Sequence, residues 1–419
     1  MRVLFLHPNF PAQFRHLAPT LAADPANEVV FATTRRDGPE LDGVVRARYQ
    51  ASRQSHPDIH PYVRTAERAV LAGQAVLRTA DDLRRQGFRP DVVVAHSGWG
   101  PAVFVKELFP ACRMLTYLEW WFRPGEANLG YLPDEGFDDD DALRNRTNNV
   151  QFLLDLAETD WVLTPTRFQA DQVPAIFRRR LSVCHDGVDT TWFTPTSPAD
   201  GGPTPPGGLS VGSLRLPPGR EIVTFATRCL EPYRGFPQFM RAAGELLARR
   251  PQLEVVVAGR DDVAYGTPLP PGDTWPERMR RELSEAGVDL SRLHLVGPLP
   301  YGQYRALLRA STVHTYLTVP FVLSWSMLEA MSTGCAIVGS DTEPVRELIV
   351  DGHNGLLADF FDHRAFAARI EELLDDPAKR AALGAEARRT IVNGYDLGDQ
   401  LGHQIDLIGR LARGELDDC

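Results

Sequence analysis

Lysine is all but missing: of 45 basic residues only Lys106 and Lys379 are lysines, so any anion site must be built from arginine. An excess of positive charge is missing too, with 55 acidic residues and a net charge of −10. That balance argues against a nucleic-acid partner, which needs a basic footprint to replace phosphate counterions. Cysteine is sparse: Cys112, Cys184, Cys229, Cys335 and Cys419 are widely spaced and never form Cys-x-x-Cys. No disulfide framework or structural zinc is indicated; buried thiols in a reducing cytoplasm are expected. No apolar run approaches the ~18–20 residues that span a bilayer. The run 3–6 is cut off by Pro8, too soon for a signal-peptide core. A chain that stays in the cytoplasm is expected, with peripheral membrane contact still compatible. Glycine-rich phosphate loops are absent as well. No G-x-G-x-x-G follows the first strand and no G-x-x-x-x-G-K-[ST] occurs anywhere, which excludes the usual dinucleotide and P-loop cradles.

What is present is an ordinary globular balance, 43% hydrophobic and 24% charged over 419 residues, enough for two or three domains. Short apolar runs at 3–6, 29–33, 92–95, 114–118, 161–164 and 181–184 alternate with helical patterns. The rhythm restarts at 222–226, 253–258, 293–296, 313–316, 336–339 and 355–358, with helical patterns over 236–249 and 325–331. Alternation of this kind predicts an α/β fold with two parallel sheets buried on both faces. Residues 197–220, crowded with proline and glycine, read as a linker between domains at 1–196 and 221–395, followed by a helical tail at 396–419. In open α/β sheets ligands bind outside the carboxyl ends of the strands, so a cleft between the two domains is the expected site.

Several strand-end segments carry chemistry. His7, Asn9, Phe10 and Gln13 lie in the loop after the first strand, and His96 ends an apolar strand ahead of Ser97-Gly98. An imidazole there can meet a hydroxyl or phosphate. In the second half, Thr227-Arg228-Cys229-Leu230-Glu231-Pro232-Tyr233-Arg234-Gly235 places two guanidinium groups on a strand-end loop that opens a helix, a pattern suited to a diphosphate. Ser324 or Ser326 can cap the next helix, and Glu329 is a carboxylate within an apolar helical turn that needs hydroxyl partners. The run Asp138–Asp141 reads as a solvated loop and helix start rather than a metal site.

The order of these segments carries a resemblance. Arg228…Arg234-Gly235, Gly297, Leu328-Glu329-Ala330-Met331 with Gly334, Glu343…Glu347 and Asp351-Gly352…Asn354-Gly355 resemble the nucleotide-binding half of family-4 retaining glycosyltransferases. Asp186-Gly187-Val188-Asp189…Phe193 is similar to the signature that closes their first domain, and the opening His7-Pro8-Asn9-Phe10-Pro11-Ala12-Gln13-Phe14 resembles a bacterial subgroup. The resemblance implies a GT-B architecture: two Rossmann-like domains facing a central cleft, with a C-terminal helix packing back on the first.

It also implies roles. Arg228, Arg234 and Gly235 would hold the donor diphosphate, and Glu329 the ribose. Ser324, Ser326 and the loops 322–326 and 341–345 would give donors to phosphate and sugar. His96, with Phe321, Val322 and Leu323, would meet the donor sugar, His96 and the two arginines serving catalysis. His7, Asn9, Phe10, Gln13, Glu119 and Trp120 would face the acceptor. No metal and no cofactor are expected, the nucleotide sugar being a co-substrate. One position departs from the family pattern: Phe321 stands eight residues before Glu329, where the family has a glutamate that reads sugar hydroxyls.

The function implied is retaining transfer of a hexose from a nucleotide-diphosphate sugar, UDP first among the bases, to a hydroxyl of a glycan, a lipid-linked sugar or a small molecule. A sugar-nucleotide epimerase or hydrolase of the same fold would need poised carboxylates and histidines, and no clear set is visible. A non-catalytic nucleotide-sugar-binding protein is the other alternative. Trp120-Trp121-Phe122-Arg123 and Phe177-Arg178-Arg179-Arg180 offer either an aromatic and basic membrane patch or a buried aromatic cluster with a solvated helix end. Alanine at Glu329 or Arg234 is expected to reduce transfer and leave the fold intact.

Overall fold

In a computed structural model, which describes residues 1–123, 128–136, 138–195 and 208–416, the N-terminal apolar runs become one parallel sheet. Its strands are β1 (Arg2–Leu6), β2 (Glu28–Thr33), β3 (Val44–Arg48), β4 (Val92–His96), β5 (Arg113–Tyr117), β6 (Trp161–Thr164) and β7 (Leu181–Val183). They lie in the order β3-β2-β1-β4-β5-β6-β7. All five residues of β4 are buried, as an unbroken Val-Val-Val-Ala run between two helical layers must be. β3 is not among the expected strands. It is an edge strand, and Arg46 and Arg48 break its apolar run because one side meets water.

The second sheet holds β10 (Glu221–Cys229), β11 (Leu253–Arg260), β12 (Leu293–Gly297), β13 (Val313–Tyr316), β14 (Ile337–Ser340) and β15 (Leu356–Ala358). It is again parallel, in the order β12-β11-β10-β13-β14-β15. Counted within each sheet, both run 3-2-1-4-5-6, with a seventh strand added at the end of the first; this is the doubly wound Rossmann-like order, and the strand order reverses beside the first strand. The loops after β1 and β4, and after β10 and β13, therefore occupy the two switch points.

The chain divides into two compact units, Met1–Glu126 with Phe137–Gly187 and Gly398–Cys419, and Ala127–Gly136 with Val188–Leu397. Two details differ from an uninterrupted first domain and a bare linker. Within 197–220 the described part forms a hairpin, β8 (Leu209–Val211) and β9 (Leu214–Leu216). Leu209, Val211 and Leu216 are buried with Ile222 and Leu307. Three-residue strands flanked by glycine and proline are too short to show a period of two, which is why they read as linker. The other detail is the segment ending at Gly136. It belongs to the second unit, where the Tyr131 ring lies 5.4 Å from Phe360 and 5.0 Å from Phe361 and Leu132 joins the core.

The C-terminal helix Leu397–Ala412 sends Leu407, Ile408 and Leu411 into the core of the first unit, against Val3, Phe5 and Leu17. Asp138 caps the helix Asp139–Asn148, accepting the Asp141 N–H at 2.9 Å in a capping box, so the acidic run is a helix start. Among the described residues no helix is long and apolar enough to cross a membrane.

Candidate functional site

In the second unit, β10 runs three residues beyond the expected strand and shifts register between Ala226 and Cys229. Arg228 is therefore part of the strand's irregular end rather than of a loop. Its side chain is exposed, and it helps line a cavity of about 370 Å³ with Thr227, Gly259, Ser324, Ser326 and Glu329. Ser324 caps the helix Trp325–Ser332, its Oγ accepting the Ser326 N–H at 3.3 Å. One turn into that helix, Glu329 is buried and accepts the Tyr301 hydroxyl at 3.0 Å. The helix Tyr301–Ala310 also brings the Tyr304 hydroxyl, which donates to Ser326 O at 3.3 Å. A cation, a helix start and a buried carboxylate thus share one cavity, a set suited to a phosphate beside a polyol.

Arg234 is placed differently from Arg228, which is exposed at the cavity. Arg234 is buried, and its Nη1 donates to Val322 O (2.8 Å), Thr318 Oγ1 (3.1 Å) and Tyr316 OH (3.4 Å). It does not line the cavity but is connected to it, because Tyr316 OH also accepts the Ser324 N–H at 2.8 Å. The carbonyl of Val322 is thereby used inside the protein, and both Val322 and Leu323 are buried, Leu323 within the core. Gly235 has φ +65°, and a Cβ there would lie 2.3 Å from Leu317 Cβ. The close approach it permits is to Leu317. In the 341–345 loop the amides of Asp341, Thr342 and Val345 are bonded to Ala358 O, Ser340 O and Thr342 O, which leaves fewer open donors than expected.

Two residues that the sequence did not single out organise this neighbourhood. Glu231 is fully buried, and its Oε2 accepts the backbone N–H groups of Ala264, Tyr265 and Gly266 at 3.1, 2.9 and 3.0 Å. It pins the loop after β11 to the loop after β10. The Tyr265 ring so placed lies 5.2 Å from the Arg234 guanidinium carbon and 5.1 Å from the Phe321 ring, which also meets Tyr233 at 5.9 Å.

In the first unit the loops after β1 and β4 bring His7 and His96 together, ring centroids 4.6 Å apart. His7 Nδ1 accepts the Asn9 N–H at 2.8 Å. Burial, with the neighbouring His96, pushes its pKa down to about 2, so it is neutral. His96 Nδ1 lies 2.9 Å from the Ser97 carbonyl and donates its hydrogen to it. Its Nε2 is buried with no hydrogen-bond partner among the described residues; the Glu119 carboxylate is 3.7 Å away and accepts Gln13 Nε2 at 3.3 Å. His7, Asn9, Gln13, His96 and Glu119 therefore gather. Phe10 turns to the core, its ring 4.8 Å from Phe31 and capped by Arg46.

Trp120 and Trp121 are buried. Trp121 packs with Phe152 and Phe177, while Arg123 and Arg178 donate to the carbonyls of Asp171 and Val173. The aromatic part of the suggested membrane patch is thus a buried cluster. Asp155, another residue without a sequence signal beyond a lone carboxylate in an apolar helix, is buried beneath the His96 loop. It accepts the Ser97 hydroxyl at 2.6 Å, and burial raises its pKa to about 7.

Two family models match the chain, Glycosyl transferase family 4 group over residues 25–193 and Glycosyl transferases group 1 over residues 211–390. Among curated proteins, the D-inositol 3-phosphate glycosyltransferase of Corynebacterium efficiens is 29% identical over 208 residues, 50% of this chain and 46% of that protein. The phosphatidyl-myo-inositol mannosyltransferase of Mycolicibacterium smegmatis is 28% identical over 204 residues, 46% of this chain and 47% of that protein. The chain spans about half the length of these relatives. Among solved structures, sucrose-phosphate synthase of Thermosynechococcus elongatus superposes with a TM-score of 0.71 at 17% identity, covering 99% of this chain and 100% of that one. Anabaena HepE in complex with UDP and glucose gives 0.67 at 15%, covering 98% and 99%.

Proposed function

The chain belongs to the bacterial family-4 glycosyltransferases of GT-B fold, and from that premise we propose that it transfers a sugar from a nucleoside-diphosphate sugar to an acceptor hydroxyl. The observation that carries this reading is the 370 Å³ cavity, where Arg228 has no hydrogen-bond or ion-pair partner among the described residues and stands beside the buried Glu329 and the Ser324-capped helix.

In this reading Arg228 meets the diphosphate directly, and Glu329 accepts from the ribose hydroxyls. Arg234 fixes the Val322–Ser324 backbone from behind and adds positive charge. Guanidinium charge and the helix start stabilise the diphosphate as it leaves, so no metal is needed. In the first unit His96 and Glu119, 3.7 Å apart, are the polar groups that would meet a substrate hydroxyl. Retention follows if the departing phosphate oxygen takes the acceptor proton on the face from which it leaves, and no protein base is then required. UDP is the first choice of nucleotide, supported by the UDP named with HepE. The inositol phosphate and phosphatidylinositol in the relatives' names support a hydroxylated small molecule or lipid headgroup as acceptor.

Calorimetric titration with UDP, GDP, ADP and dTDP, each with and without EDTA, tests the donor site. Chelator-resistant binding of one diphosphate is expected. Binding of none, or binding abolished by EDTA, would overturn the metal-independent donor site.

A further inference from the structure

The helix Val150–Glu158 turns Phe152 and Leu156 into an apolar cluster of the first unit, yet between them it buries a carboxylate, Asp155, at 1% exposure. Asp155 Oδ2 accepts the Ser97 hydroxyl at 2.6 Å, whereas Oδ1 has no hydrogen-bond partner among the described residues. An apolar side chain would avoid that desolvation cost, so packing does not explain the carboxylate. Its partner does. Ser97 is the residue whose carbonyl accepts the His96 Nδ1 hydrogen at 2.9 Å. Its own N–H donates to Tyr117 O at 3.0 Å, and its hydroxyl goes to Asp155. The chain then turns at Gly98, φ +96°, so close to the same helix that a Cβ would lie 2.8 Å from the Phe152 ring. Of these restraints only the bond to Asp155 runs from side chain to side chain.

We propose that Asp155 is a positioning residue for His96: by fixing Ser97 it fixes the carbonyl that sets which way the imidazole faces. What this does for transfer rests on the reading above, in which His96 meets a substrate hydroxyl beside Glu119. The other neighbours of the ring, His7 at 4.6 Å and Tyr117 at 5.2 Å between ring centroids, confine it by contact without choosing which edge turns toward Glu119. The Ser97 carbonyl makes that choice, because turning the ring over takes Nδ1 from its acceptor. Misplacing a group at the chemistry by about 1 Å costs up to ~10²-fold in rate. A loosened Ser97 therefore shows in turnover rather than in nucleotide binding, whose cavity lies in the second unit.

The test reads the full chain, isotope-labelled at its histidine ring nitrogens, by NMR, with the His96 signals assigned by their loss in His96→Asn. Asp155→Ala and Ser97→Ala should each shift or broaden the His96 Nδ1–H signal, while the ring signals of His16 and His185 in the same unit stay in place and show that the variants fold. Should Asp155→Ala unfold, Ser97→Ala, which removes a single oxygen, carries the test. Asp155→Asn keeps an oxygen for the Ser97 hydroxyl and should restore the signal. Diphosphate release from the glucose derivative of the nucleoside diphosphate that binds best should follow the same pattern: kcat down about tenfold or more in the alanine variants with KM within about twofold, and recovery to within about threefold in Asp155→Asn. The double alanine variant should be no slower than either single one. A His96 signal unchanged in both alanine variants, or a defect that Asp155→Asn does not repair, overturns the positioning role. Absence of diphosphate release by the unaltered protein overturns the transfer reading, and the imidazole signal still decides the positioning.

Discussion

Tyr301 donates its phenolic hydrogen to Glu329 Oε1 at 3.0 Å in the wall of the second unit's cavity. A buried carboxylate needs such donors, and a ribose would add its own. Glu329→Ala is expected to weaken nucleoside-diphosphate binding by about tenfold or more, since a hydrogen bond to a charged group contributes ~1.5–3 kcal/mol. Tyr301→Phe keeps the carboxylate and should cost less. Calorimetry separates the two, and unchanged affinity in Glu329→Ala would remove this carboxylate from nucleotide binding.

Arg228 and Arg234 should part company when truncated. Arg228 is exposed and has no partner among the described residues, so Arg228→Ala should lower diphosphate affinity about 10–100-fold and change stability by no more than ~0.5 kcal/mol. Arg234 is buried and holds three acceptors. Its loss should cost stability as well as binding, about 2–4 kcal/mol, contrary to the expectation from sequence that the fold is left intact. Urea unfolding of both variants gives the comparison.

Asp155 predicts a pH effect of definite sign. Burial lifts its folded pKa to about 7 from the ordinary 3.8 of an aspartate, so between these values the folded form holds a proton that the unfolded form has lost. This group's contribution is therefore fully present below the unfolded value and falls by up to about 1.4 kcal/mol per pH unit until pH 7. Asp155→Asn should flatten that part of the stability profile. An unchanged slope between pH 4 and 7 would show that the carboxylate ionises freely.

Gly235→Ala should destabilise the second unit. The residue has φ +65°, and the added Cβ would lie 2.3 Å from Leu317 Cβ; left-handed strain and overlap together cost about 2–4 kcal/mol. Denaturant midpoints measure this, and a neutral substitution would contradict the close packing.

Both sheets were legible because strands such as Val92–His96 are buried on two faces and read as unbroken apolar runs. The strand Val44–Arg48 and the hairpin around Gly212 were not. An edge strand carrying arginines and two strands of three residues show no period to find. The cavity's charged groups were legible by type and order, Arg228 and Glu329 above all. Their division of labour was not, because a register shift in β10 exposes Arg228 while Arg234 turns inward. Glu231 was invisible for a different reason: its partners are main-chain amides of a distant loop, and main-chain donors leave no mark in the choice of residues.

The helix Leu397–Ala412 completes the core that begins with Val3 and Phe5, which reverses the order in which the two halves can mature on the ribosome. The second unit is fully synthesised once Leu397 is added, whereas the first still lacks Ile408 and Leu411. At the usual ~5–20 residues per second, the slot beside Phe5 and Leu17 waits roughly 11–45 s after Gly187 is made. The half of the protein made first is finished last, and for that interval the apolar side chains that Ile408 and Leu411 will cover stay open to water.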